Sequence, residues 1–216
     1  MSIIEGIISL FVVLFAITVH EASHGWAALK MGDPTAFHMG RITLNPIHHI
    51  DPLGTILLPL ILIIMGAPPF GWAKPVPVNP LNLRNPRRDN LLISAAGPLS
   101  NFIVAFIAFL IIKIFMTLDP SLLYGRIGGF NSLLSPIITI LYYTVLINVI
   151  LAIFNLIPIP PLDGSGVLMG LISGEAAEKY EQLRPYGFLI LLVLIMTGII
   201  GRILGFVLRI VYTFIF

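Results

Sequence analysis

Apolar residues run along this chain in long blocks, and the polar residues gather in short stretches between them. The first block covers residues 3–28, within an expected span at 1–28, and exceeds the roughly 20 helical residues that cross a hydrocarbon core. Residues 31–90 follow as polar loops, interrupted by the apolar run 53–66, which contains Pro59 and is bracketed by DPLG and GAPPFGWAKPVPVNP. That run is too short to cross and reads as a re-entrant or interfacial hairpin. Further spans are expected at 91–116, at 132–163 ending in PPLDG, and at 188–216, where Gly198, Gly201 and Arg202 favour two short helices over one. Within the loops, the alternation of Phe37, Met39, Arg41 and Thr43 suggests a short strand before Asn45-Pro46, and residues 74–78 suggest another. Together these elements predict an all-α integral membrane protein, a single domain over 1–216, with about five or six transmembrane or re-entrant helical segments and a short membrane-edge β hairpin or strand.

Composition strengthens the membrane reading. Of the 216 residues 57% are hydrophobic and 10% charged, where a soluble domain carries about 25% charged residues. The mean hydropathy is +1.01 over the whole length, so the lipid bilayer has to cover most of the surface. The net charge of +2 comes from basic residues lying between the apolar blocks, not along one face. They act as topology signals and leave no nucleic-acid partner to expect. Lys30, Arg41, Arg84, Arg87, Arg88, Lys179 and Arg184 place their loops in the cytoplasm and the N-terminus outside, giving a multi-pass protein of the cell membrane. The first block lacks a basic leader and a small-residue cleavage site and is expected to stay attached. No cysteine is present, which excludes disulfides, iron–sulfur clusters and thiolate zinc sites, so any metal must use His, Asp, Glu or water.

The first block ends in His20-Glu21-Ala22-Ser23-His24, an H-E-x-x-H pattern. Histidines at i and i+4 share one face of a helix with about 3.6 residues per turn, so both imidazoles can reach one ion. Glu21 lies beside that face, where its carboxylate can take a proton from a metal-activated water without being a ligand. A chance match, with the side chains merely bonded to one another, is the plainer reading, but ionisable groups inside an apolar span are costly and usually functional.

A catalytic zinc site takes three protein ligands and leaves a position for water. Glu5 sits in the first turn and Asp119 in an expected external loop, whereas Asp163 follows an apolar span in FNLIPIPPLDGSG. Pro158, Pro160 and Pro161 cannot continue a helix, so the chain unwinds there, and unwound backbone at membrane depth marks a cavity or site. Gly164 then permits a turn that could present Asp163 to the ion, although Asp-Gly can also be no more than a turn leaving the bilayer.

At these residues the chain resembles the site-2 protease family of intramembrane metalloproteases: HEASH, AAGPLSN and FNLIPIPPLDG stand in that family's order, and the likeness covers nearly the whole chain. The resemblance implies one zinc ion per chain held by His20, His24 and Asp163, with Glu21 as the catalytic acid and base. The expected reaction is hydrolysis of a peptide bond within or near a transmembrane segment of a membrane-protein substrate, at a site toward the cytoplasmic side. It also implies that Asn101 faces the site, where an amide N–H could stabilise an oxyanion or hold substrate backbone, unless it joins helices. Asn155 likewise looks like a substrate-backbone residue or a partner for groups freed by the prolines. His38, His48 and His49 fall in the polar loops, where surface positions are the common outcome, and His48 or His49 could line the site entrance. Many relatives carry a PDZ insertion or a C-terminal nucleotide-sensing module, for which this chain has no room; it resembles the compact members.

The implied mechanism requires the substrate segment to unwind locally, since a helix buries its own carbonyls. An exposed strand at 74–78 could hold such an extended substrate by β-augmentation. Water is expected to reach the site through a polar channel from the cytoplasmic side. The rival class is a zinc-binding membrane protein without protease activity, such as a transporter or scaffold, but transport wants ionisable groups along a path and here they gather at one place. Substrate identity, trigger and oligomeric state are left open by the sequence.

Overall fold

Inside a bilayer a backbone amide has no water to turn to, so an apolar block of chain satisfies its N–H and C=O groups by becoming helix. The computed structural model, which describes residues 3–65, 71–118 and 135–215, follows that rule. Helix α1 spans Ile3–Met31, α2 Thr35–His38, α3 Leu58–Ile64, α4 Pro86–Leu118, α5 Ser135–Asn155, α6 Asp163–Leu171, α7 Glu175–Glu181, α8 Gly187–Met196 and α9 Ile199–Ile215. Three of them, α1, α4 and α5, are long and apolar enough to cross a membrane. A fourth crossing would need the helical stretch ending at Met196 and α9 to act together across a 65° bend. Gly198 makes that bend with φ 74°, a left-handed conformation that costs glycine little, so the last apolar block is divided as the glycines suggested.

Helix α4 is the centre of the bundle and packs against α1, α5 and α6. Pro86 in its first turn costs it no hydrogen bond, and the Asp89 carboxylate reaches back to accept from the Asn85 N–H at 2.7 Å. Against α6 it packs almost backbone to backbone: a Cβ on Gly166 would fall 2.1 Å from Ser94 Oγ. The apolar interior includes Ala108, Ile112, Met116, Val145 and Ile215 toward one end and Leu162, Leu191 and Ile200 under the unwound segment. Large apolar side chains such as Ile7, Phe11, Ile103 and Phe106 point outward, as a lipid-facing surface requires.

The two strands expected in the loops are absent: among the described residues there is no strand. Residues 74–78 belong to no regular element, and Pro75 and Pro77 bring no N–H to a ladder. The remaining groups bond singly to different partners, Lys74 N–H to His49 O at 2.9 Å and Asn79 N–H to Asp33 Oδ2 at 2.7 Å. The carbonyls of Lys74 and Pro75 accept from the buried Arg41 guanidinium at 2.7 and 3.3 Å. The alternation at 37–43 also misleads, because Asp33 accepts from the Thr35 N–H at 3.1 Å and starts helix α2 instead. The run expected as a re-entrant hairpin forms a π-helical turn, Pro52–Leu57, leading into α3; its last residue, Gly66, lies outside the described residues, as does Asp119.

Candidate metal centre

Helix α1 carries His20, Glu21 and His24, and the i, i+4 spacing does what the helical period demands. The two buried imidazole rings have centroids 4.7 Å apart and stand nearly perpendicular, at 82°. Asp163 arrives from elsewhere in the chain: the proline-rich stretch ends and α6 begins at Asp163 itself. Its carboxylate oxygens lie 2.9 Å from His20 Nε2 and 3.3 Å from His24 Nε2. Ligand atoms from all three residues fall within 4.8 Å of one another, the only such group among the described residues.

Which nitrogen of each ring holds a proton follows from what stands behind it. His24 Nδ1 lies 2.7 Å from the Ile93 carbonyl, which can only accept, so Nδ1 carries the hydrogen. His20 Nδ1 lies 2.6 Å from Asn101 Oδ1. The Asn101 amide is oriented by its other end, since Nδ2 donates to Ala16 O at 3.1 Å and to Asn148 Oδ1 at 2.8 Å. Asn148 Nδ2 donates in turn to Thr144 O at 2.9 Å. With Nδ1 donating, each ring turns its Nε2 toward the Asp163 carboxylate.

That arrangement fits a cation. Two imidazole Nε2 atoms and a carboxylate converge, and Asp163 Oδ2 is buried without a well-formed hydrogen bond, 2.9 Å from His20 Nε2. Such a cluster is repulsive until a positive ion or a proton enters. Gly97 backs it closely: a Cβ there would lie 2.4 Å from His24 Nε2 and 2.6 Å from His20 Nε2. The donor set of imidazole nitrogen and carboxylate oxygen suits zinc, and each imidazole is held by its far nitrogen, as metal-binding histidines are.

The cluster opens on a cavity of about 740 Å³ lined by Glu21, Ser94, Asn155, Val76, Trp72 and Phe188, among others. Glu21 stands in this cavity beside the cluster, and its Oε2 accepts the Val76 backbone N–H at 2.9 Å. Asn155 also lines the cavity while donating to Leu151 O at 2.9 Å. Asn101 is fully buried behind His20, and its amide hydrogens go to Ala16 O and Asn148 Oδ1, bonds that join α4 to α1 and α5. His48 is exposed and His38 stands on the surface. His49 is buried and bonds to Thr43 O at 3.0 Å, away from the cavity wall.

Ser94, which lines the cavity, and Asn148, which accepts from Asn101, are not among the residues the sequence singles out. The signal for Asn148 was present: it is an amide in the middle of the apolar run of α5, where polar residues are rarely idle. For Ser94 nothing but its place in AAGPLSN's preceding turn would have drawn attention.

Comparison with known proteins gives a consistent picture. The model of peptidase family M50 matches residues 8–198. The provisionally named zinc metalloprotease YwhC of Bacillus subtilis is 39% identical over 184 residues, which cover 85% of this chain and 78% of that protein. The provisionally named zinc metalloprotease Rip2 of Mycolicibacterium smegmatis is 26% identical over 88% of this chain and 66% of its own. Zinc metalloprotease MJ0392 of Methanocaldococcus jannaschii is 27% identical over 81% of this chain, which spans only 36% of that protein. No solved structure matches.

Proposed function

From the premise that this chain belongs to peptidase family M50, we propose that it cuts a peptide bond within or near a transmembrane segment of a membrane-protein substrate. It is a membrane zinc metalloprotease of the site-2 type. The observation that carries the reading is the convergence of His20 Nε2, His24 Nε2 and the Asp163 carboxylate beside Glu21 in one cavity.

His20, His24 and Asp163 would hold one zinc ion, which when bound supplies a Lewis acid for the scissile carbonyl and makes water acidic near neutral pH. Glu21 is the general base and then the general acid: its carboxylate takes a proton from the attacking water and returns it to the leaving amine. The Val76 N–H donates to Oε2 and steadies the carboxylate in the cavity. Asn155 steadies substrate backbone from the cavity wall. The substrate enters locally unwound, because a carbonyl inside an intact helix is already bonded. The whole chain, residues 1–216, acts as one multi-pass domain in the cell membrane, with its site open to water from the cytoplasmic side. Metal transport would want a second set of ligands along a path, and among the described residues the His20, His24 and Asp163 group stands alone.

The test is to purify wild type and Glu21→Gln in detergent, measure zinc, and offer both a panel of apolar transmembrane peptides. One zinc per chain in each, with cleavage inside the apolar segment by wild type alone, is the expected result. Equal cleavage by both removes Glu21 from the mechanism.

A further inference from the structure

We infer that Asn148 is a positioning residue for the metal centre, setting the tautomer of His20 through Asn101. The inference rests on His20 being a zinc ligand.

Asn148 is fully buried in α5, and Asn101 is fully buried in α4. Read from its far end, the hydrogen-bond line has one polarity. A backbone carbonyl can only accept, so at Thr144 O the Asn148 side chain presents Nδ2. Asn148 Oδ1 then faces Asn101, and it too can only accept, so Asn101 presents Nδ2, whose second hydrogen goes to Ala16 O. Asn101 Oδ1 is left facing His20 and must receive a hydrogen from Nδ1. In the neutral ring that leaves Nε2 unprotonated, the form in which imidazole binds a metal.

Without Asn148, Ala16 O alone would hold the Asn101 amide. A flipped amide would offer N–H to His20 Nδ1 and drive the ring proton to Nε2, the position a metal needs. The Thr144 and Ala16 carbonyls fix the sense of the line, and what separates positioning from mere helix joining is that the line ends on a proposed metal ligand, His20.

The experiment compares wild type, Asn148→Leu, Asn148→Thr and Asn148→Asp in detergent. The threonine hydroxyl bonds back to Thr144 but is too short to reach Asn101, so it keeps the helix satisfied while breaking the line. A neutral, buried aspartic acid keeps it: one oxygen accepts from Asn101 and the hydroxyl donates to Thr144 O. Zinc affinity is read by chelator competition, and the His20 tautomer by nitrogen-15 spectroscopy of the metal-free, histidine-labelled protein. Asn148→Leu and Asn148→Thr should each bind zinc about 10- to 100-fold more weakly, with protonated Nε2 appearing at His20, while Asn148→Asp stays near wild type. Wild-type affinity and tautomer in the folded loss variants would overturn the inference, as would equal loss in Asn148→Asp, which would make the position one of packing. A wild type that binds no zinc would overturn the metal-centre reading itself.

Discussion

The backbone N–H of Val76 donates to Glu21 Oε2 at 2.9 Å, across 55 residues of sequence. The carboxylate proposed to move protons is thus held by an irregular segment and not by its own helix. That segment is fixed in turn by Arg41, His49 and Asp33.

Val76→Pro removes this one N–H in a stretch that already tolerates prolines on both sides. A hydrogen bond to a charged group contributes roughly 1.5–3 kcal/mol. Peptide cleavage should fall by about 10- to 100-fold, with zinc content unchanged and Val76→Ala near wild type. Turnover measured beside metal analysis decides it.

Gly97→Ala puts a methyl group where His20 and His24 present their Nε2 atoms, at 2.6 and 2.4 Å. Neither ring can retreat without giving up its bond to Asn101 or Ile93. Zinc affinity should drop at least about tenfold, read by equilibrium dialysis, while helix content by circular dichroism stays the same.

Arg41 is buried and its guanidinium donates to the carbonyls of Lys74 and Pro75. Arg41→Met keeps the bulk and strips the donors. The segment over the cavity should loosen, so limited proteolysis within 71–79 should quicken, with a stability loss of about 1–3 kcal/mol. An unchanged cleavage pattern would show that other bonds suffice.

Asp33 lies past the end of α1. Burial by itself would raise its pKa, but donors from Thr35, Asn82 and Asn79 outweigh it and hold the carboxylate below its ordinary value. A depressed folded-state pKa contributes stability above the unfolded value of about 3.9, lost as pH falls below that and through the folded value. Thermal unfolding in detergent between pH 7 and pH 3 should therefore show an acid-side loss that Asp33→Asn lacks in part.

Much of the site could be read from the chain because helical geometry is periodic: His20 and His24 had to share a face, and prolines at 158, 160 and 161 had to break the helix before Asp163. The split of the last apolar block was visible in Gly198. The loops resisted because alternation looks the same whether or not a partner strand exists. At 74–78 the prolines withhold the donors a ladder needs, and at 35–38 the Asp33 carboxylate favours a helical turn. Asn101 was visible but its duty was not, since that depends on which helix lies behind it. Asn148 depended on the same missing knowledge, namely that α5 passes close enough to α4 for two amides to meet.

The line from Thr144 through Asn148 and Asn101 to His20 closes entirely within the protein. Small zinc domains build their fold around the ion and collapse when it is withdrawn. Here the helices are already registered against one another by bonds that no ion completes. Chelation should then silence the protein while leaving it folded, and readding zinc should restore it without a refolding lag, so that metal supply acts as a reversible throttle on a standing enzyme.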